Sequence, residues 1–217
     1  MSELILYVGN RNYSSWSMRA WLLTRASGLP FREHWFNIED PANYPEVELY
    51  IPSGMVPALS DGDVLVWDSL AIAEYLAEIA PEAGLWPADR PARATARAVA
   101  AEMHSGFAAL RRHMPLNVRR SSPRKGRAPG VDEDIARIQA LWADCRRRFG
   151  AGGPYLFGSW SAADAVYAPV VSRFRTYTVE LDGTARPYAD AVWSHPDVRE
   201  WAEGAAREPW TNPEFDL

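Results

Sequence analysis

Two adjacent serines stand where a helix is expected to begin. Ser14 and Ser15 follow a short polar loop and precede apolar residues at helical spacing, and Gly28 and Pro30 mark the end of that helix. The first turn of a helix presents backbone N–H groups without partners and a partial positive charge, which both favour an anion. A serine hydroxyl at this position therefore either caps the helix or donates a hydrogen bond to an anionic ligand.

A second polar pair, Asp68 and Ser69, opens another predicted helix. The hydroxyl of Ser69 and the neighbouring N–H groups can hold a carboxylate, and the carboxylate of Asp68 can hold an ammonium group. Capping alone is the alternative, and one helix end can both cap and bind. Shortly before this pair, Val56 precedes Pro57, and an X–Pro bond adopts the cis form at low cost. An ordinary edge-strand proline is the other interpretation.

Other polar residues favour structural roles. Ser161 and Asp164 have the spacing of a capping box, which predicts the start of a further helix. Cys145 lies within an apolar helical stripe and is expected to be a small buried residue. The histidines are scattered without the spacing of metal ligands, so no metal site is expected. They are His34, His104, His113 and His195.

The elements that position the two serine pairs form the pattern βαβ-ββα. Residues 3–8 and 31–36 are predicted strands on either side of the first helix, which favours a parallel pair joined by a right-handed crossover. Residues 41–55 are expected to be loop with at most a short helix. Two short strands, 57–59 and 64–66, flank an Asp-Gly hairpin, and a helix follows from Asp68.

Beyond residue 80 the sequence predicts helices and no strand. A proline-rich segment over residues 81–90 indicates a linker between a domain at 1–80 and a domain at 91–217. Apolar spacing predicts one long helix through residues from Val99 to Met114. It also predicts further helices over 135–149 and 161–178, and a last short helix beginning at Pro196.

The composition excludes several classes of protein. The net charge of −5 argues against a general nucleic-acid-binding protein. One cysteine cannot form an intramolecular disulfide, which fits a cytoplasmic compartment. No apolar stretch approaches the roughly 20 residues that span a bilayer, and no membrane association is expected.

One segment is strongly basic although the chain has a net negative charge, because residues 111–127 contain seven basic residues and no acid. Its prolines and glycines favour a solvated loop. The alternative is that it walls a cleft and attracts an acidic second substrate. The basic residues are Arg111, Arg112, Arg119, Arg120, Arg124, Lys125 and Arg127.

Four motifs together, in this order along the chain, resemble the glutathione transferase superfamily. Residues 13–19, Tyr-Ser-Ser-Trp-Ser-Met-Arg, are similar to the Ser-Ser-x-x-x-Arg stretch of the zeta class, which includes maleylacetoacetate isomerases. Residues 56–59 are similar to the family's Val-Pro-x-Leu, and residues 68–72 to its Glu/Asp-Ser-x-Ala-Ile. Residues 161–164 resemble its capping motif in the second domain. Trp16 stands where zeta enzymes usually carry cysteine.

This resemblance implies a thioredoxin-like domain followed by an all-α domain, and it implies roles for the polar residues. Ser14 or Ser15 would contact the glutathione thiol, with Tyr7 at the end of the first strand as a rival. The bond before Pro57 would be cis, with the backbone of Val56 pairing with the cysteinyl unit. Asp68 and Ser69 would hold the γ-glutamyl group. Asn37 or Asn43 would hold the glycyl carboxylate, and Arg173 or Arg175 a substrate carboxylate.

The resemblance also implies an activity. A glutathione transferase would use the thiolate to attack a small hydrophobic electrophile. A glutathione-dependent cis–trans isomerase of the maleylacetoacetate type is one alternative, and a non-enzymatic binding or regulatory protein that kept the fold is another. Members of the superfamily are usually homodimers, so the same is expected of this chain.

Overall fold

Four strands form one sheet in the computed structural model, which describes residues 3–213 and 215. They are β1 (Leu4–Gly9), β2 (Phe31–Phe36), β3 (Ala58–Asp61) and β4 (Val64–Trp67), in the order β2-β1-β3-β4. As predicted, β1 and β2 are parallel, and β3 and β4 form an antiparallel hairpin around Asp61 and Gly62. Strand β3 pairs antiparallel with β1, which places the loop before Pro57 near the end of β1.

Three helices accompany the sheet: α1 (Ser15–Ala26), α2 (Tyr44–Tyr50) and α3 (Ser69–Ile79). Short 3₁₀ turns lie at Pro41–Asn43 and Pro81–Ala83. The arrangement is the predicted thioredoxin-like βαβ-ββα pattern. The peptide bond between Val56 and Pro57 is cis, as expected.

The second half is helical, as predicted, and beyond β4 the described residues form isolated bridges but no strand. None of the helices in residues 3–213 is both long and apolar enough to cross a bilayer. The predicted limits of the two domains and the linker stay predictions, and their outermost residues lie outside the described part of the chain. The helices are α4 (Arg90–Ser105), α5 (Ala108–His113), α6 (Val131–Phe149), α7 (Ala162–Thr176), α8 (Ala185–Ser194) and α9 (Pro196–Arg207).

Two of the predictions for this half were wrong or incomplete. The expected single helix from Val99 to Met114 is broken, because α4 ends before Gly106 and Phe107 adopts a left-handed φ of 55°. A Cβ atom on Gly106 would lie 2.6 Å from the carbonyl oxygen of Glu102, so this break needs glycine. The apolar spacing continues across it because both helices bury residues in the same core. Helix α8 was not predicted.

One hydrophobic core joins the two halves of the molecule. Helix α1 packs against α7 and α9, and the rings of Trp21 and Trp201 lie 5.5 Å apart between them. Asp164 closes the predicted capping box at the start of α7, where its carboxylate accepts from the backbone N–H of Ser161. Cys145 is buried as expected, and burial raises the pKa of its thiol to about 12, which makes it a poor nucleophile. The shared core fixes the cleft between α1 and the helical half.

Candidate active site

A cleft of about 590 Å³ opens at the N-terminus of α1. Its walls come from the first turn of α1, the loop after β2, the segment from α5 to residue 116, and helix α7. The site therefore uses both halves of the chain, as small-molecule sites commonly do. The lining residues with polar or aromatic side chains are Tyr13, Ser14, Ser15, Trp16, Glu39, Arg111, Arg112, Arg173 and Phe215.

Ser14 is the N-cap of α1, and its hydroxyl already makes hydrogen bonds within the chain. The oxygen accepts from the backbone N–H of Ser17 at 3.2 Å, and the hydroxyl donates to Ser17 Oγ at 2.8 Å. Ser17 Oγ accepts in turn from the backbone N–H of Gly9 at 2.9 Å. Ser14 therefore joins the end of β1 to the start of α1.

Ser15 is the first residue of α1 and lines the same cleft. Its hydroxyl has no hydrogen-bond partner within residues 3–213 and 215, and the backbone N–H groups of Ser15 and Trp16 have none there either. Three donors are thus uncommitted at the start of a 12-residue helix, where the partial positive charge of the helix adds to them. This arrangement can receive an anion.

The start of α3 presents a second group without a partner. Ser69 is fully buried, and its Oγ makes no hydrogen bond with any described residue. Asp68 precedes it with a left-handed φ of 77°, a conformation that is rare for a non-glycine residue and clusters at functional sites. The Oδ1 atom of Asp68 accepts from the backbone N–H of Leu70 at 2.8 Å. The Val56 backbone N–H and C=O also lack partners among the described residues.

His104 of α4 connects these two helix starts. Its Nε2 lies 3.2 Å from Asp68 Oδ2, and its ring meets the ring of Trp16 edge-on at 4.9 Å. Burial lowers the pKa of His104, the nearby Arg19 and Arg111 lower it further, and Asp68 opposes them. The His104 ring therefore lies against the Asp68 carboxylate on one side and the Trp16 ring on the other, and it joins the starts of α1 and α3.

Three other residues considered from the sequence serve the scaffold. Tyr7 packs in a small core cluster, where its ring lies 5.4 Å from that of His34, so the core interpretation fits it better than thiol contact. Asn43 donates to the backbone carbonyl of Asn37 at 2.9 Å. The side-chain oxygen of Asn37 accepts from Asn10 at 3.1 Å. The two asparagines therefore hold the loop after β2.

The arginines of the cleft are the residues that sequence reasoning undervalued. The solvated-loop interpretation of residues 111–127 was wrong for Arg111 and Arg112, which lie on α5 and line the cleft. The helix predicted up to Met114 already included both residues, and the alternative that this segment walls a cleft holds for them. Arg173 also lines the cleft, whereas Arg175 lies against Trp193 elsewhere.

The C-terminal segment anchors the loop that carries the serines. The Glu208 carboxylate accepts from the backbone N–H of Arg11 at 2.6 Å and of Asn12 at 2.9 Å. Arg119 donates to the backbone oxygen of Glu208 at 2.8 Å and to the Tyr13 hydroxyl at 3.1 Å. The loop before Ser14 is thereby held from the far end of the chain. The described residues contain no cluster of three or more side chains able to hold a metal ion.

Comparisons with known proteins agree with this architecture. The glutathione S-transferase N-terminal domain family matches residues 13–79, and the corresponding C-terminal domain family matches residues 128–204. Glutathione S-transferase Z2 from Arabidopsis thaliana is 27% identical over 142 residues, which span 63% of this chain and 63% of that protein.

Solved structures show the same fold. A glutathione transferase homolog from a Burkholderia strain, crystallised with bound glutathione, superposes with a TM-score of 0.71 at 23% identity, covering 95% of this chain and 100% of that one. Glutathione transferase Omega 2S from Trametes versicolor superposes with a TM-score of 0.68 at 20% identity, covering 96% and 98%. The two family matches together cover more than half of the sequence, so this chain belongs to the glutathione S-transferase superfamily.

Proposed function

We propose that this chain binds glutathione in the cleft and activates its thiol with the Ser15 hydroxyl. The observation that carries the proposal is the set of three uncommitted donors at the start of α1, on the wall of the cleft. A hydrogen bond to a charged group contributes about 1.5–3 kcal/mol. Lowering a thiol pKa by one unit needs about 1.4 kcal/mol of preferential stabilisation of the thiolate. One hydroxyl and a helix end therefore supply a shift of about two units.

Val56, Asp68 and Ser69 are not among the residues that line the cleft, and in this proposal they hold the rest of the tripeptide beside it. The unpaired backbone of Val56 suits the cysteinyl amide, which would pair with it as an added strand. The buried Ser69 hydroxyl, with the start of α3, suits the γ-glutamyl carboxylate. Asp68 suits the ammonium group, because a carboxylate oxygen that already accepts one hydrogen bond keeps further lone pairs.

In this proposal the two serines have different roles. Ser15 donates to the sulfur, and Ser14 caps α1 and keeps the first turn in place. Bound glutathione supplies the nucleophile, a thiolate whose electron pair forms a bond to an electrophilic carbon. The chain's part is to stabilise the negative charge, to hold the tripeptide by its backbone and ends, and to present the second substrate from the α5 and α7 wall.

Calorimetric titration with glutathione tests the proposal. We expect saturable binding, and we expect Ser69→Ala to weaken it about tenfold, because a charge-assisted hydrogen bond to the γ-glutamyl carboxylate is lost. Ser105→Ala, at an exposed position of α4, is the matched control and should bind like the parent protein. The absence of a heat signal from the parent protein at millimolar glutathione would rule the proposal out.

The zeta-class likeness and the two alternative functions stay predictions. An isomerase of the maleylacetoacetate type would add the thiolate to a double bond and release it after rotation. Turnover of a maleyl substrate without net loss of glutathione would favour that activity, and steady consumption would count against it. A non-enzymatic protein would bind glutathione without lowering the pKa of its thiol.

We also propose that two copies of the chain associate through an exposed apolar face between α2 and β4. Met55 is 72% exposed and Trp67 is 50% exposed, and β4 is an edge strand of the sheet. Exposed apolar patches and uncovered sheet edges mark association surfaces.

Sedimentation equilibrium checks this association. The parent protein should sediment at twice the chain mass of 24.3 kDa, and Trp67→Glu should sediment at the chain mass. Thr184→Glu, at an exposed position before α8 and away from this face, reports whether any added charge has the same effect. A Trp67→Glu protein that remains dimeric would show that another face is used.

A further inference from the structure

Arg19 is a buried cation without a hydrogen-bond acceptor. It lies on α1 one turn beyond Ser15, and its side chain is fully buried. None of its three guanidinium nitrogens has a partner among the described residues. Burial, together with the guanidinium groups of Arg173 and Arg111, lowers the pKa of Arg19 to about 9. An uncompensated buried charge is costly, and such groups are normally paired.

The ring of Trp16 contacts both this buried cation and the cleft residue Arg111. The guanidinium carbon of Arg19 is 4.5 Å from the centre of the Trp16 ring, and that of Arg111 is 4.9 Å from it. Both distances are within the range of cation–π contact. The indole beside Ser15 therefore holds two cations in place, and the wall that a second substrate meets is positively charged.

The charges facing this wall do not neutralise it. Arg111, Arg112 and Arg173 line the cleft, and Glu39 is the acid among its described lining residues. Two guanidinium nitrogens of Arg173 donate to backbone carbonyls, one to Met114 at 2.9 Å and one to Pro169 at 3.4 Å. Asp68 attracts Arg19, but its carboxylate lies 3.2 Å from His104 Nε2 and accepts from the backbone N–H of Leu70 at the start of α3.

We infer that the second substrate is an anionic electrophile whose carboxylate binds to Arg111, with Arg19 and Arg173 contributing positive potential behind it. The inference rests on the proposed glutathione site, because the carboxylate must lie beside a thiolate held at Ser15. It favours the acidic second substrate, which the sequence left as an alternative, over the hydrophobic electrophile. The guanidinium of Arg111 is partly exposed in the cleft, and one of its nitrogens is fixed by the backbone carbonyl of His104 at 3.2 Å.

A matched pair of aryl chlorides tests the inference, namely 4-chloro-3,5-dinitrobenzoate and its methyl ester. In both, the thiolate electron pair forms a C–S bond at the carbon that carries chlorine. The C–Cl bond then breaks, and chloride leaves with its electron pair. The two compounds share the reacting carbon and differ in the charge of the substituent opposite it.

We expect the protein to favour the acid over the ester about tenfold in kcat/KM, after each is divided by its uncatalysed rate with glutathione. Arg111→Gln should reduce that ratio toward one. Arg90→Gln, an exposed arginine at the start of α4, should keep it. Preference for the ester by the parent protein, or an unchanged ratio in Arg111→Gln, would overturn the inference.

Binding measurements separate this inference from the proposed function. If glutathione gives a calorimetric signal while the ester is preferred, the anionic subsite is wrong and the glutathione site stands. If glutathione does not bind, the proposed function itself fails. If neither chloride reacts, binding affinities test the inference instead. They are measured by the quenching of tryptophan fluorescence by 3,5-dinitrobenzoate and by its methyl ester, in the presence of S-methylglutathione. Tighter binding of the acid supports the inference, and equal affinities overturn it.

Discussion

Replacing Ser15 by alanine is expected to lower kcat/KM for glutathione conjugation about 10- to 100-fold at neutral pH. The variant removes the uncommitted hydroxyl at the cleft and leaves the helix end in place. Losing a charge-assisted hydrogen bond worth about 1.5–3 kcal/mol raises the pKa of the bound thiol by one to two units. Less of the bound glutathione is then thiolate, and the rate falls in proportion.

The pH dependence of this loss has a definite sign. The thiolate is favoured in the parent protein, so its thiol ionises at lower pH than in the variant. The rates should therefore differ most below the thiol pKa of the parent protein and approach each other at high pH. Ultraviolet absorbance of the bound thiolate, followed through a pH titration, gives both pKa values directly.

Ser14→Ala is the matched control for this experiment. It removes a cap and the contact with Ser17, so it should lower the free energy of unfolding by about 1 kcal/mol and keep the thiol pKa low. If Ser14→Ala raises the thiol pKa and Ser15→Ala does not, the roles assigned to the two serines are reversed.

Replacing Asp164 by alanine is expected to lower the free energy of unfolding by about 3–5 kcal/mol. The buried carboxylate accepts from the backbone N–H of Leu156 at 3.1 Å and of Ser161 at 2.9 Å, and from Ser161 Oγ at 2.8 Å. Each buried donor left without an acceptor costs about 1–3 kcal/mol. Calorimetry should show the midpoint of thermal unfolding falling by roughly 10 °C.

Asp89→Ala provides the comparison, because Asp89 caps α4 with a single hydrogen bond to the backbone N–H of Ala92 at 2.9 Å. That loss should be about 1 kcal/mol. A loss in Asp164→Ala no larger than in Asp89→Ala would show that the capping box does not hold the start of α7. Asp164 is not among the residues that line the cleft, so the folded variant should keep the low pKa of the bound glutathione thiol.

Most of the fold could be predicted because its signals are local. The Asp61-Gly62 hairpin and the Ser161–Asp164 capping box each depend on residues within a few positions of one another. The helix break at Gly106 escaped prediction for a physical reason. Apolar residues keep their spacing on both sides of it, and the left-handed turn at Phe107 is set by packing.

The candidate site shows where such reasoning stops. The sequence identifies both serines, but the division of roles depends on whether the Ser14 hydroxyl turns toward Ser17. The burial of Arg19 cannot be predicted from the sequence, because an arginine on an exposed helix face would give the same sequence pattern. The structure shows that Arg19 is fully buried and that Arg19 and Arg111 both lie against the ring of Trp16.

The contact between Glu208 and the backbone of Arg11 joins residues 197 positions apart. A chain growing on the ribosome exposes Arg11 long before Glu208 is synthesised. The loop before the serines therefore gains this anchor only when α9 and the residue after it have emerged. The loop that carries the serines is therefore anchored by a residue that is synthesised long after it.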